Sequence, residues 1–140
     1  MDAKILIIMK LTIFTDGGAR GNPGPAASGV IIKNEGGETI ASYGEYLGEQ
    51  TNNFAEYSAL ISGLKKAAEI GATEVMCILD SELVVKQMKR EYKVKEPTLQ
   101  KLFISAYNAT CQFKKVTFQH IAREKNKEAD KMVNETLDKN

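Results

Sequence analysis

An α/β domain with a mixed β-sheet is the architecture this sequence predicts, from three of its features. Short apolar and β-branched runs, punctuated by glycine turns, fill its first part. A long stripe of apolar residues at helical spacing follows. After it comes a strand–helix–strand alternation, and such a crossover joins strands that pair in parallel. The expected element order is βββαβααβα.

Each element has its own signal. Leu11-Thr12-Ile13-Phe14-Thr15 is apolar or β-branched almost throughout, as a central strand buried on both faces requires. Asp16 closes that strand and opens a glycine-rich turn, residues 17–24. A second strand spans 28–33 and a third 38–47, with Asn34-Glu35-Gly36-Gly37 between them as a hairpin turn. These three strands form an antiparallel meander. Tyr57, Leu60, Ile61, Leu64 and Ala68 then mark one face of a helix that Gly71 ends, and Gly63 lets that helix lie close to the sheet. A strand at 73–79 leads into a helix from Ser81 to about Arg90. Pro97 starts the next helix, with Leu99, Leu102, Phe103 and Ala106 on its inner face. A strand at 115–120 precedes the final helix, which starts near Asn126 and turns Ala129, Met132, Val133 and Leu137 inward.

A chain of 140 residues fits one domain, 1–140, with a real core. No repeat, low-complexity segment or linker divides it. Nineteen basic and 18 acidic residues leave a net charge of +1, so any phosphate contact must come from a local cluster. The apolar run 5–9 stops at Lys10 and has no small-residue cleavage site after it, so residues 1–9 read as a strand extension or a loose tail, and Met9 as a second candidate start. No stretch reaches the ~18 apolar residues a membrane span needs. Cys77 and Cys111 are isolated thiols, which fit a reducing compartment, and a cytoplasmic location is expected.

Four carboxylates stand out. Asp16 and Asp80 each end a strand; Glu56 lies in Thr51-Asn52-Asn53-Phe54-Ala55-Glu56-Tyr57 at a helix start; Asp130 lies in Asn126-Lys127-Glu128-Ala129-Asp130. Singly, each has an ordinary role. Asp16 could shape the turn, Glu56 could close a capping box with Asn53, Asp80 could N-cap the next helix, and Asp130 could face solvent. In this order and spacing, however, the four resemble the acidic residues of the type 1 ribonuclease H family, over residues 11–137. The resemblance implies a five-stranded sheet in the order 3-2-1-4-5 with helices on both faces, which element order alone does not fix. It also brings the four carboxylates together. Converging carboxylates repel and need a cation, and oxygen ligands without a His/Cys cluster select Mg²⁺ or Mn²⁺. Two such ions can clamp a phosphodiester, with Asp16 bridging both.

The resemblance further implies an endonuclease that cuts the RNA strand of RNA–DNA hybrids and leaves 5′-phosphate and 3′-hydroxyl ends. Its hybrid-reading positions fall on Asn22, Asn52 and Asn53, with Thr51 on a phosphate and Gly17 and Gly18 letting backbone approach the nucleic acid. Asn amides suit the 2′-hydroxyls and base edges of a shallow minor groove. Two family features are missing. The basic handle is reduced to residues 89–97, where Lys89, Arg90, Lys93 and Lys95, with Lys86, form at most a small basic patch. The last loop, residues 122–125, holds no histidine, so Arg123 stands nearest the place where the family's loop histidine acts, and His120 reads as structural. A nuclease that also cuts double-stranded RNA and a non-catalytic nucleic-acid-binding module are the rival readings. A monomer without a membrane or an obligate protein partner is expected.

Overall fold

A computed structural model describes residues 7–140. Its elements are β1 (Lys10–Ala19), β2 (Gly24–Lys33), β3 (Thr39–Gln50), α1 (Asn52–Ile70), β4 (Glu74–Leu79), α2 (Glu82–Met88), α3 (Pro97–Thr110), β5 (Lys115–His120), a short 3-10 turn (Arg123–Lys125) and α4 (Lys127–Asp138). The strands form one sheet in the order β3-β2-β1-β4-β5. The β1–β2 and β2–β3 pairs are antiparallel, and β1–β4 and β4–β5 are parallel. Both the mixed sheet and the strand order agree with the expectation. Of the N-terminal stretch, residues 1–6 lie outside the described residues. Met9, just before β1, is tied to the start of β4's segment: its N–H donates to Thr73 Oγ1 at 3.0 Å and its carbonyl accepts from Thr73 N–H at 2.8 Å.

Strand β1 differs from its expected end in an informative way. It does not close at Asp16 but runs on through Gly17 and Gly18 to Ala19. The cause is β2, which sets the small residues Gly29, Ser28, Ala27 and Ala26 opposite Asp16, Gly17, Gly18 and Ala19. Pairing with β4 stops earlier, at Thr15 opposite Leu79. The turn therefore begins at Arg20, and Asp16 sits where β1 parts from β4.

Alternate residues of each strand serve opposite faces of the sheet. On one face, Ile13, Thr15 and Val30 meet α1 at Gly63, where a Cβ would come within 2.7 Å of Ile13 Cγ2. Tyr57, Leu60, Leu64 and Ala67 of α1 join Leu99, Ala106 and Ala109 of α3 and Cys77 and Leu79 of β4 in the main core. On the other face, α4 lies against Ala27 through Val133 and Leu137. It lies close because that face is paved with glycine. A Cβ at Gly29 would fall on the Ala129 carbonyl, and one at Gly44 on Thr136 Oγ1 and the Met132 carbonyl. The described residues contain no helix long and apolar enough to cross a membrane.

Gly29→Ala must push α4 off the sheet. The expected loss is about 1–3 kcal/mol, the usual cost of overpacking. Gly36→Ala, in the open β2–β3 turn, should change stability by less than about 0.5 kcal/mol. Urea unfolding of the two variants measures both.

Candidate active site

The sheet topology puts Asp16 and Asp80 side by side. Each follows the last paired residue of adjacent parallel strands, Thr15 opposite Leu79. With the register spent, the two chains separate, and both carboxylates open into the gap. The helix after Asp80 is capped by Ser81, whose side chain accepts from Val84 N–H at 3.2 Å. Asp80 is thereby free of the capping role that its sequence context also allowed.

Glu56 arrives on the first turns of α1. Thr51 caps that helix, accepting from Phe54 N–H at 3.2 Å, so Asn53 and Glu56 form no capping box. What brings Glu56 in is Gly17. A Cβ there would overlap the carbonyl of Ala55 and the nitrogen of Glu56. Gly17 is buried, and its absent side chain makes room for helix backbone, not for a ligand. Asp16, Glu56 and Asp80 consequently place one carboxylate oxygen each within 4.8 Å of the others. Asp130, one turn into α4 and half-buried, lines the same cleft with Asn53, Arg123 and Asn134.

The electrostatics follow from this crowding. Asp16 and Glu56 are 6% and 8% exposed. Burial first, then Asp80 and Asp130, raise the Asp16 carboxyl to about 8, and the Gly17 N–H on Oδ1 at 3.0 Å opposes the rise. Glu56 is pushed well above the carboxylate range by burial, then by Asp16 and Asp80. Asp80 is raised by burial, and the adjacent Asn126 amide and the Arg123 charge oppose that. One buried oxygen, Glu56 Oε2, has no hydrogen-bond partner among the described residues. A buried acceptor without a donor is costly, and a cluster of anions is costly as well. A hard divalent cation removes both costs, so the donor set fits such an ion.

The remaining residues singled out in the sequence divide into groups. Asn22 and Asn52 are tied together: Asn22 Oδ1 accepts from Asn52 N–H at 3.0 Å, and Asn52 Oδ1 from Ala19 N–H at 2.8 Å. Both side chains are exposed at the cleft's glycine-loop end. Thr51 spends its hydroxyl on the helix cap. Arg123 is 80% exposed, with Nη2 at 3.7 Å from Asp130 Oδ1. His120 ends β5 and places Nε2 at 3.2 Å from the Asp80 carbonyl oxygen. The reduced basic patch is partly spent within the fold, since Lys86 pairs with Glu82 at 3.0 Å and Arg90 lies over Phe103 and Tyr107.

Three contacts carry no sequence signal of their own. Arg20 Nη2 reaches Asp138 Oδ1 at 2.7 Å, tying the glycine loop to α4. Asn134 Nδ2 donates to the Asp130 carbonyl at 3.1 Å. Asn126, which periodicity marks only as a helix start, is 2% exposed and donates its Nδ2 to the Thr15 carbonyl at 2.8 Å.

Comparison with known proteins agrees with this geometry. The profile of the reverse transcriptase-like family matches residues 14–136. Over 131 residues, 93% of this chain, the sequence is 42% identical to the bifunctional protein Rv2228c of Mycobacterium tuberculosis, of whose length the chain spans only 36%. The crystal structure of RNase H1 from Halobacterium salinarum superposes with a TM-score of 0.91 at 36% identity, covering 94% of this chain and 99% of that one. LC11-RNase H1, solved in complex with an RNA/DNA hybrid, superposes with a TM-score of 0.88 at 48% identity, covering 92% and 97%.

The raised Asp16 carboxyl fixes a pH dependence. Between its unperturbed value of 3.8 and about 8, the folded chain holds a proton that the unfolded chain releases. Its contribution to stability is therefore complete below the lower value and lost as pH rises through the upper one. In chelator, the melting temperature should fall across that window. The Asp16→Asn variant should fall less steeply, and saturating Mg²⁺ or Mn²⁺ should raise the melting temperature most at the alkaline end, where the cation no longer competes with a proton. Thermal melts of both proteins across the window, with and without cation, give the comparison. Parallel curves for the two proteins in chelator would remove Asp16 as the crowded group.

Proposed function

Because the chain belongs to the type 1 ribonuclease H family, we propose that it is a nuclease that hydrolyses the RNA strand of RNA–DNA hybrids. In this reading, Asp16, Glu56, Asp80 and Asp130 hold two divalent cations, Mg²⁺ or Mn²⁺. The observation that carries it is the convergence of two buried carboxylates, Asp16 of β1 and Glu56 of α1, with the partly buried Asp80 just after β4, in a cluster where one Glu56 oxygen has no partner among the described residues. Asp16 is perturbed by both Asp80 and Asp130 and itself perturbs Glu56, which supports it as the central residue of the set that would hold the cations. The complex of LC11-RNase H1 with an RNA/DNA hybrid supports the substrate class.

Bound cations supply two things here: an acidified water, and neutralisation of charge at phosphorus and at the departing 3′ oxygen. The reaction adds water across the P–O3′ bond. The water oxygen joins phosphorus, the bond to the 3′ oxygen breaks, and that oxygen takes up a proton. The ends left are a 5′-phosphate and a 3′-hydroxyl.

The protein's own residues do the rest. With Oδ1 of Asn22 and Oδ1 of Asn52 committed to backbone donors, each amide offers outward its Nδ2 hydrogens. Donors suit the 2′-oxygens of ribose and the acceptors that every base pair shows in the minor groove. Asn53 adds a further amide at the cleft. Thr51 meets a phosphate only through the oxygen that also caps α1. Arg123, exposed and close to Asp130, can turn toward the scissile phosphate as a fixed charge, but it cannot shuttle protons. His120 holds the chain just after β4 through the Asp80 carbonyl, which gives it a structural part.

Asp16→Asn should cut turnover by about three orders of magnitude, the equivalent of about 4 kcal/mol, while leaving the circular dichroism spectrum unchanged. Matched RNA–DNA hybrid, RNA duplex and DNA duplex, each assayed with Mg²⁺ and with Mn²⁺, test the substrate class. Cleavage of the hybrid alone is expected. Comparable cleavage of the DNA duplex would reject ribose recognition, and comparable cleavage of the RNA duplex would widen the class to any strand with 2′-hydroxyls.

Arg123→Ala should slow hybrid cleavage by about ten- to a hundredfold, the value of one charge-assisted contact. His120→Ala should chiefly lower the melting temperature. Turnover measured on both purified variants below their melting temperatures separates the two roles. An inactive but folded His120→Ala protein beside a fully active Arg123→Ala protein would reverse them.

A further inference from the structure

Asn126 is a buried polar side chain that the proposed chemistry does not use. It occupies the N-cap position of α4, where an Asn side-chain oxygen ordinarily accepts a backbone N–H of the first turn. Here no side-chain cap bond forms. Asn126 Oδ1 has no partner among the described residues, and Nδ2 instead donates to the Thr15 carbonyl, 111 residues away in sequence, at 2.8 Å. The side-chain helix cap is thus forgone. What is gained lies at the fork between β1 and β4.

The parallel ladder ends with Thr15 opposite Leu79. Beyond that point no further β1–β4 pair is made. On β1, the Thr15 carbonyl takes the Asn126 amide. The Asn126 carbonyl in turn accepts from Asp130 N–H at 3.1 Å, which starts α4 with Asp130 one turn along. One residue therefore touches the backbone just before Asp16 and the backbone of Asp130.

We infer that Asn126 is a positioning residue that sets the separation of Asp16 and Asp130 for cation binding, by tying the start of α4 to the last residue of β1 that pairs with β4. The inference rests on the reading of these carboxylates as cation ligands. It assigns Asn126 no contact with substrate, so its loss should appear in kcat and in cation affinity, not in KM for the hybrid.

Two variants separate positioning from capping. Asn126→Ser keeps a good neutral cap for α4 but is too short to reach the Thr15 carbonyl; Asn126→Ala lacks both. If Asn126 positions the carboxylates, both variants weaken Mg²⁺ affinity, measured by calorimetry on the substrate-free protein, by about ten- to a hundredfold. Both also lower kcat by a similar factor, with KM within about twofold of the parent. If Asn126 acts only through the helix, Asn126→Ser retains parental Mg²⁺ affinity and kcat, and the inference is overturned. Should neither variant fold, the unmodified protein still decides. In its ¹⁵N spectrum, the Asn126 side-chain amide should exchange slowly without cation and shift on adding Mg²⁺. A fast-exchanging amide that does not respond to Mg²⁺ overturns the inference. Failure of the parent to cleave the hybrid while it binds Mg²⁺ through these residues would reject the nuclease reading and leave the positioning role standing.

Discussion

Everything at the cleft depends on one steric fact: the first turn of α1 occupies the space where a side chain of residue 17 would be. Carboxylates do not gather of their own accord. Crowding and burial raise both Asp16 and Glu56, so the chain must hold them together against their repulsion. It does so with backbone. The β1–β4 register fixes Asp16 beside Asp80, and contact at Gly17 fixes α1 on β1, with Glu56 next to that contact. Neither constraint involves a flexible side chain. A site whose ligands hang from rigid elements needs little reorganisation when a cation enters.

The second helix layer follows the same rule. Residue 130 can join the cluster only if α4 lies low on the opposite face. Gly29 and Gly44 allow that by giving up side chains beneath the Ala129 and Met132 carbonyls. The order of the chain then becomes intelligible. Small residues in β2 and β3 leave room for α4, and those in β2 also let β1 run two residue pairs beyond Gly17. The large apolar side chains are kept for the other face, where α1 and α3 build the main core. The core face carries α1 and its contact with Gly17, and the opposite face sets Asp130.

Much of this was legible in the sequence, and the reasons differ by residue. Hydrophobic periodicity located α1, Gly71 its end and Pro97 the start of α3, because these signals are local. The strand order was not local information and came from the resemblance of the four acidic segments. Three features escaped. Strand β1 continues through Gly17-Gly18-Ala19, although Asp-Gly-Gly reads as a turn, because pairing with small residues of β2 overrides local preference. Thr51, rather than the Asn53/Glu56 pair, caps α1, and this frees Glu56 for the cleft. Asn126 is buried on a carbonyl of β1, a contact across 111 residues that no pattern along the chain can announce.

In the proposed reading, substrate reading and cation holding share the same few residues of backbone. Asn52 opens α1, four residues before Glu56, and its amide oxygen holds Ala19 at the end of β1, three residues after Asp16. Asn22 in the intervening loop is held by Asn52 N–H. A hybrid that engages these amides is therefore indexed directly to the two most buried carboxylates, through rigid strand and helix and not through a mobile loop. Positioning of that kind is worth more to a phosphodiester hydrolase than raw affinity, since the reacting phosphate must meet the cluster within a fraction of an ångström. The charge distribution points the same way. Arg20 is paired with Asp138 and Lys86 with Glu82, and the net charge is only +1. In the proposed reading, with no net positive field to attract a polyanion, selection among nucleic acids falls on shape and on the donors fixed at the cleft rim.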